Sequence, residues 1–197
     1  IARSFDINHP GVLVKDMKGG VLGGVLKRGK LKIGDEIEIK PGLLVKKSNQ
    51  EFYKTITTKV LGIYKGNEKL EMAFPGVSIA VETELDPILA KSDSLSGSVV
   101  GLKDQLPEIT TNATIKTSLF KEVIGVTGHQ DVQPIKTNEM IMLSVNTTIT
   151  VGSVKRIKGN DIELILRIPI VDLKGENVGL ARNINNHWRL IGFGELI

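Results

Sequence analysis

The strongest constraint on this chain is a two-residue rhythm of apolar and polar positions. It restarts between turn signals roughly every ten residues. In Glu36–Lys40, Ile37 and Ile39 face one way while Glu36, Glu38 and Lys40 face the other. Val77, Ile79, Val81 and Thr83 alternate with Ser78, Ala80, Glu82 and Glu84, and Ile162, Leu164, Leu166, Ile168 and Ile170 share one face. Pro41-Gly42, Lys65-Gly66-Asn67, Pro75-Gly76 and Lys174–Asn177 punctuate the runs as turns. Pro169 reads as an edge or the end of a strand. The only helix candidate is Leu119–Ile124, too short to change the class. Leu102–Glu108 is polar, holds a proline and has no period, so it reads as a boundary. The expectation is an all-β chain of two consecutive β-barrels, residues 1–104 and 105–197.

Lys18–Gly34 carries two glycine pairs, Gly19-Gly20 and Gly23-Gly24, inside an apolar run. Such pairs allow close backbone approach and bends at barrel corners. Lys27-Arg28-Gly29-Lys30 reads as a basic hairpin tip with Gly29 at positive φ. Gly24–Lys30 also matches the G-x-x-x-x-G-K spacing of a phosphate loop. Leu31 follows where a Ser or Thr hydroxyl is needed for magnesium, and Glu36–Ile39 alternates like a strand where a helix should begin. A barrel corner fits the stretch better.

Composition narrows the chemistry. With 197 residues the chain has room for one or two cores, and it begins at Ile1 rather than Met, as an excised or processed piece would. It has no cysteine, which removes disulfides and thiolate metal sites and fits a cytosolic protein. It shows no signal-peptide pattern and no apolar run of about 18 residues able to span a membrane. His9, His129 and His187 lack ligand spacing, so no metal is expected. No nucleophile elbow occurs, and Glu36/Glu38 and Glu82/Glu84 read as solvated strand faces, so no catalytic residue is expected. The formal charge of +4 is mildly basic and compatible with an RNA partner. Composition and spacing describe a binding or assembly module rather than an enzyme.

Particular residues say more. SFDIN at Ser4–Asn8 with Pro10-Gly11, KGGVLGG at Lys18–Gly24 and KIGDEIEIKPG at Lys32–Gly42 occur in order. They are followed by PGVSIAVETELDP at Pro75–Pro87, KSDSLSGSVVG at Lys91–Gly101, Leu106-Pro107, NEMIMLSV at Asn138–Val145 and HWRLIGFGEL at His187–Leu196. Over its whole length the chain resembles the gamma subunit of translation initiation factor 2 of archaea and eukaryotes, itself related to elongation factor Tu. The resemblance implies the two β-barrels known as domains II and III of translational GTPases, without the GTPase domain. GTP and Mg²⁺ would belong to that absent domain, leaving this part no cofactor and no GTPase activity. The implied role is cytoplasmic: helping to deliver initiator methionyl-tRNA to the small ribosomal subunit. The implied partners are the alpha subunit, docked by domain II, and the beta subunit, held by the GTPase domain. An assembly scaffold that binds partner subunits or an assembly chaperone, with no RNA contact of its own, is the alternative.

By the same resemblance the terminal adenine of the tRNA would sit in a shallow pocket on the first barrel. Leu26 would be its floor, Tyr64 a wall able to stack a base, and Ala80 and Glu82 would lie opposite. Glu82 stands where the family usually has Gly. Lys27, Arg28 and Lys65 would contact phosphates. The alpha subunit would dock on a protruding hairpin, Leu43–Lys54, with Lys46, Lys47, Asn49 and Phe52 as contacts. Trp188 with Arg189 reads as a structural anchor closing the second barrel.

Overall fold

The computed structural model describes residues 1–47, 50–126 and 128–197. The chain divides into two compact units, Ile1–Leu106 and Pro107–Ile197.

The first unit holds β1 (Arg3–Phe5), β2 (Val21–Val25), β3 (Leu31–Lys32), β4 (Glu36–Lys47), β5 (Gln50–Lys65), β6 (Glu68–Leu70), β7 (Met72–Ala73), β8 (Ser78–Thr83) and β9 (Val99–Leu102). The main sheet runs β1-β2-β8-β5-β4-β9, with β6 added to β5, while β3 and β7 pair separately. The ladder itself is open. Ile1 links its two edges, because its nitrogen donates to Ser98 O (2.6 Å) and its carbonyl accepts from Gly97 N (2.9 Å) beside the start of β9. Ile37, Ile39, Val60, Ile63, Ile79, Val81 and Leu95 fill the interior, so the alternation places the expected face inward. A single helical turn, Pro87–Ala90, is capped by Asp86, whose Oδ1 accepts from Ile88 N at 3.0 Å.

The outward face of β4 departs from the expectation of a solvated polar row. Glu38 and Lys40 are buried, with side chains 6% and 8% exposed, and their charged groups lie 3.6 Å apart. Leu106 covers them. Its N–H donates to Glu38 Oε1 (2.7 Å), and Lys40 Nζ donates to its carbonyl (3.0 Å). Period-two alternation reports which side of a strand a residue takes, not whether later chain returns to cover that side.

The glycines need the same kind of correction. A Cβ on Gly19 would collide with the Thr83 carbonyl, and one on Gly20 would come within 2.7 Å of Ala90 Cβ. Gly23 and Gly24 lie inside β2, Gly23 paired with both β1 and β8 and Gly24 with β8, and a Cβ on Gly24 would meet only ordinary contacts from 3.6 Å outward. The close approach thus belongs to the first pair, and the second pair forms no corner.

The second unit is a closed barrel, β10-β13-β12-β11-β14-β15. Its strands are β10 (Ile109–Ile124), β11 (Met140–Val145), β12 (Thr148–Lys158), β13 (Asp161–Val171), β14 (Asn177–Ile184) and β15 (His187–Leu196). Ile115, Ile141, Leu143, Val154, Ile162, Leu164, Leu180 and Ile191 form its core. Leu119–Ile124 is strand, not helix. Leu119 pairs with Gly192 and Ile124 with Leu190, with a register shift between them that absorbs the break in alternation. Pro169 falls at the end of β13, as its position suggested, two residues before Val171 and past Leu166, the last residue paired with β12. It sits within β13's own register shift against β10, where no ladder donor is needed. There the Thr150 hydroxyl takes over, donating to Ile168 O and accepting from Ile168 N, both at 3.0 Å. Trp188 is not a core anchor. It is 37% exposed and faces Asn183 on the neighbouring strand.

Candidate nucleic-acid and subunit interface

Register decides which of the candidate residues meet. Across β1, β2, β8 and β5 the cross-strand neighbours Arg3, Gly23, Ala80 and Tyr64 form one row. Phe5, Val21, Glu82 and Gly62 form the next. Both rows lie on the outer face, since Leu22, Ile79, Val81 and Ile63 turn inward to the core. The row from Arg3 to Tyr64 crosses three strand gaps, about 14 Å. Its middle is floored by Gly23 and Ala80, which carry almost no side chain. The Phe5 ring leans over Gly23, with Cε1 3.8 Å from where a Cβ would stand. The Tyr64 ring leans over Gly62, with Cε2 at 2.9 Å from the equivalent point. The result is a shallow shelf with an aromatic ring at each end.

Glu82 holds one of those rings. Tyr64 Oη donates to Glu82 Oε2 at 3.2 Å. Burial, the Glu82 carboxylate charge and this hydrogen bond raise the Tyr64 phenol above its ordinary value, so the ring stays neutral through the physiological range. The carboxylate is thereby drawn to the Gly62 end, away from the Gly23–Ala80 floor.

Tyr64, Ala80 and Glu82 therefore come together, and Leu26 does not join them. It lies one residue beyond β2, on the inward side, and packs partly buried against the first unit's core. Lys27 and Arg28 are exposed in the turn that follows, where Gly29 has φ +73° as expected. That turn is no hairpin, because β2 and β3 pair with other strands. It leads into β3 and not a helix, so the phosphate-loop spacing has no helix N-terminus behind it. Lys65 is exposed at the β5–β6 turn, opposite Glu68. Phe5 was missed by sequence reasoning. It lies far from Tyr64 along the chain, and only the β1–β2–β8–β5 register reveals their kinship.

The Leu43–Lys54 hairpin is present, paired from Leu43↔Lys54 to Lys47↔Gln50. It extends past the part of β4 that pairs with β9 and the part of β5 that pairs with β8, so it projects from the main sheet. Lys46 Nζ lies 2.6 Å from Glu51 Oε1, and that carboxylate raises the Lys46 ammonium above its ordinary value. Lys47 is exposed, and Phe52, 46% exposed, lies opposite Val45 beside exposed Leu44. Asn49 lies outside the described residues.

In the second unit a depression of about 480 Å³ is lined by Val123, Gln133, Pro134, Thr137, Glu139 and Arg182, among others. The Arg182 guanidinium there donates to the Glu139 carboxylate and to the Gln133 and Pro134 carbonyls. Among the described residues no group of three or more His, Cys, Asp or Glu is placed to hold a metal ion.

Residues 111–196 match the family described as "Initiation factor eIF2 gamma, C terminal". Among similar curated proteins, the translation initiation factor 2 subunit gamma of Methanocaldococcus jannaschii is 44% identical over 196 residues, covering 100% of this chain and 48% of that protein. The subunit of the same name from Thermoplasma volcanium is 41% identical, with 100% of this chain and 48% of that protein covered. The chain thus spans about half the length of the curated relatives it matches. Among solved structures, a bacterial selenocysteine-specific elongation factor, EF-Sec, superposes with a TM-score of 0.70 at 17% identity, covering 100% of this chain and 27% of that one. At that identity the likeness concerns the fold.

Proposed function

The chain belongs to the gamma-subunit family of translation initiation factor 2, and on that premise we propose that it helps deliver initiator methionyl-tRNA to the small ribosomal subunit. In this reading the outer shelf of the first unit holds the aminoacylated 3′ end. The Leu43–Lys54 hairpin docks the alpha subunit through Lys46, Lys47 and Phe52. GTP, Mg²⁺ and the beta subunit belong to a GTPase domain outside this chain, and the work takes place in the cytoplasm.

One observation carries the RNA half of this proposal. Ala80, with a single methyl, floors the shelf between the Phe5 ring over Gly23 and the Tyr64 ring over Gly62, and a planar base laid there would have an aromatic ring on either side. A base stacked on Tyr64 contributes about 1–3 kcal/mol in single-strand binders. The hydrogen bond to Glu82 holds the ring in place before ligand arrives. Glu82 repels phosphate, so the base rather than the backbone belongs at that end of the shelf.

The test is Tyr64→Ala in the assembled factor, titrated separately with initiator methionyl-tRNA and with the alpha subunit. The expected result is about tenfold weaker tRNA binding with alpha binding unchanged, and a smaller loss for Tyr64→Phe, which keeps the stacking ring but gives up the hydrogen bond to Glu82. Equal loss for both ligands would show that Tyr64 acts on the fold. The exposed Leu44 and Phe52 favour a second reading, an assembly scaffold without RNA contact. It predicts no salt-dependent binding of methionyl-tRNA.

A further inference from the structure

β1 is the weakest part of the shelf. It is three residues long and lies at the end of its sheet, with β2 as its ladder partner on one side. Its other edge is held by side chains. Asp93, ninety residues onward, accepts from Arg3 Nε through Oδ1 at 2.9 Å and through Oδ2 at 3.0 Å. Its Oδ1 also accepts from Ser4 N at 2.9 Å. The buried Ser4 hydroxyl accepts from Leu95 N at 3.1 Å, and Ser96 Oγ donates to Ala2 O at 3.0 Å.

Backbone geometry marks out the Asp93 contact. Ser92 and Asp93 both take left-handed conformations, with φ of 55° and 59°. Two successive non-glycine residues in that region carry strain that the surrounding structure has to hold. Here the turn aims Asp93 back at β1. The charge attraction alone would hold little, because the Arg3 and Asp93 side chains are 70% and 39% exposed. The Ser4 N–H is different. It is a strand donor that goes to Asp93 rather than to β2, and a backbone donor needs an acceptor. The Arg3 side chain first, and then the Ser4 N–H, hold the Asp93 carboxyl below the usual carboxylate range. The Arg3 charge is answered within the protein, which makes it part of the strand's anchor.

Phe5 is the next outward residue of β1 after Arg3, and its ring forms one end of the shelf. The chain beyond it is tied by Asn8 to Lys18, just ahead of β2, which is the β2 side again. On the free edge, the anchors beside Phe5 are those on Arg3 and Ser4. A three-residue edge strand with few hydrogen bonds opens readily. A ring that must be ordered on binding gives up part of its affinity.

We propose that Asp93 is a positioning residue for the RNA 3′ end: by fixing the free edge of β1 it holds the Phe5 ring at its end of the shelf. The proposal rests on the reading of the shelf as the RNA site.

The test is a double-mutant cycle in the assembled factor, with initiator methionyl-tRNA as the probe. It compares the parent with Phe5→Ala, Asp93→Ala, the Phe5→Ala/Asp93→Ala double and Tyr64→Ala. Phe5→Ala is expected to weaken binding about fivefold or more, and Asp93→Ala about threefold. Because Asp93 acts through the ring, the double should bind no worse than Phe5→Ala alone. Amide hydrogen exchange at Phe5 should speed about tenfold in Asp93→Ala, while the amides of β8 keep the parent rate. A double that loses the product of the two single factors overturns the proposal. So does Asp93→Ala binding like the parent, or exchange at Phe5 staying at the parent rate. Equal loss of alpha-subunit binding in Asp93→Ala assigns the residue to the fold and overturns it as well. Should Asp93→Ala fail to fold, Asp93→Asn takes its place in the cycle; it tolerates left-handed φ, keeps an oxygen for the Ser4 N–H and gives up the charge facing Arg3. If Phe5→Ala and Tyr64→Ala both bind like the parent, the shelf itself is wrong. If they are impaired and the cycle is additive, the shelf stands and the role of Asp93 falls.

Discussion

Replacing Gly19 by Ala tests the packing of the first unit at its tightest point. The added methyl would overlap the Thr83 carbonyl oxygen, stand 2.8 Å from its carbon and lie 3.1 Å from Leu85 O. Relief requires a backbone retreat of roughly 1.5 Å to reach ordinary contact. That backbone is held by Gly20 N to Leu85 O (2.7 Å), Thr83 N to Gly20 O (3.2 Å), Thr83 Oγ1 to Gly20 O (2.7 Å) and Leu85 N to Thr83 Oγ1 (3.2 Å). A retreat of that size stretches most of these bonds beyond use, at about 1 kcal/mol net each. Overpacking adds about 1–3 kcal/mol. The sum, about 3–6 kcal/mol, is a large part of the stability of a typical domain. In urea, with a slope of about 1–3 kcal/mol/M, the midpoint of the first unit should fall by about 2 M. Circular dichroism follows the loss of sheet. Fluorescence of the single tryptophan, Trp188, reports on the second unit and serves as an internal reference. Gly24→Ala is the control, because its methyl meets nothing closer than 3.6 Å, and it should change stability by less than about 1 kcal/mol. A Gly19→Ala protein that unfolds like the parent, or a Gly24→Ala protein equally damaged, would refute the assignment of close packing to Gly19.

Three further outcomes are expected. Glu82→Gln should lower the Tyr64 phenol part of the way toward its ordinary value, leaving the larger contribution of burial in place, as read by ultraviolet titration of the phenolate. Asp93 is held below the usual carboxylate range by the Arg3 guanidinium and the Ser4 N–H. Its depressed folded value means that its contribution to stability is complete above the unfolded carboxylate range and is lost as pH falls through the folded value. Asp93→Asn should therefore flatten the loss of first-unit stability below about pH 4, measured by urea unfolding at stepped pH. Thr150→Val should cost the second unit about 2–4 kcal/mol by leaving both backbone groups of Ile168 without their partner, read as an earlier Trp188 fluorescence transition.

The sequence by itself determined the class of structure, the inward residues and the family. Alternation such as Ile37/Ile39 or Ile162/Leu164/Leu166 leaves a β-strand only one way to bury its apolar side, and turn residues at intervals divide the strands. It also located the Leu43–Lys54 hairpin, because that pairing is local. Where sequence signals failed, the deciding contact was distant. Leu119–Ile124 takes its strand form from β15, some seventy residues onward. Glu38 and Lys40 are buried because Leu106 returns to cover them. Trp188 faces outward because the barrel interior is already filled by Ile191 and its neighbours. The candidate site shows the same division. The family resemblance, not the alternation, set Tyr64 opposite Ala80 and Glu82 as the register does, but it made Leu26 the floor although Leu26 packs inward against the core, and Phe5 was absent from the reading. A shelf built from four strands exists only in their register, and register between distant strands is set by how the whole core packs, which no local stretch of sequence encodes.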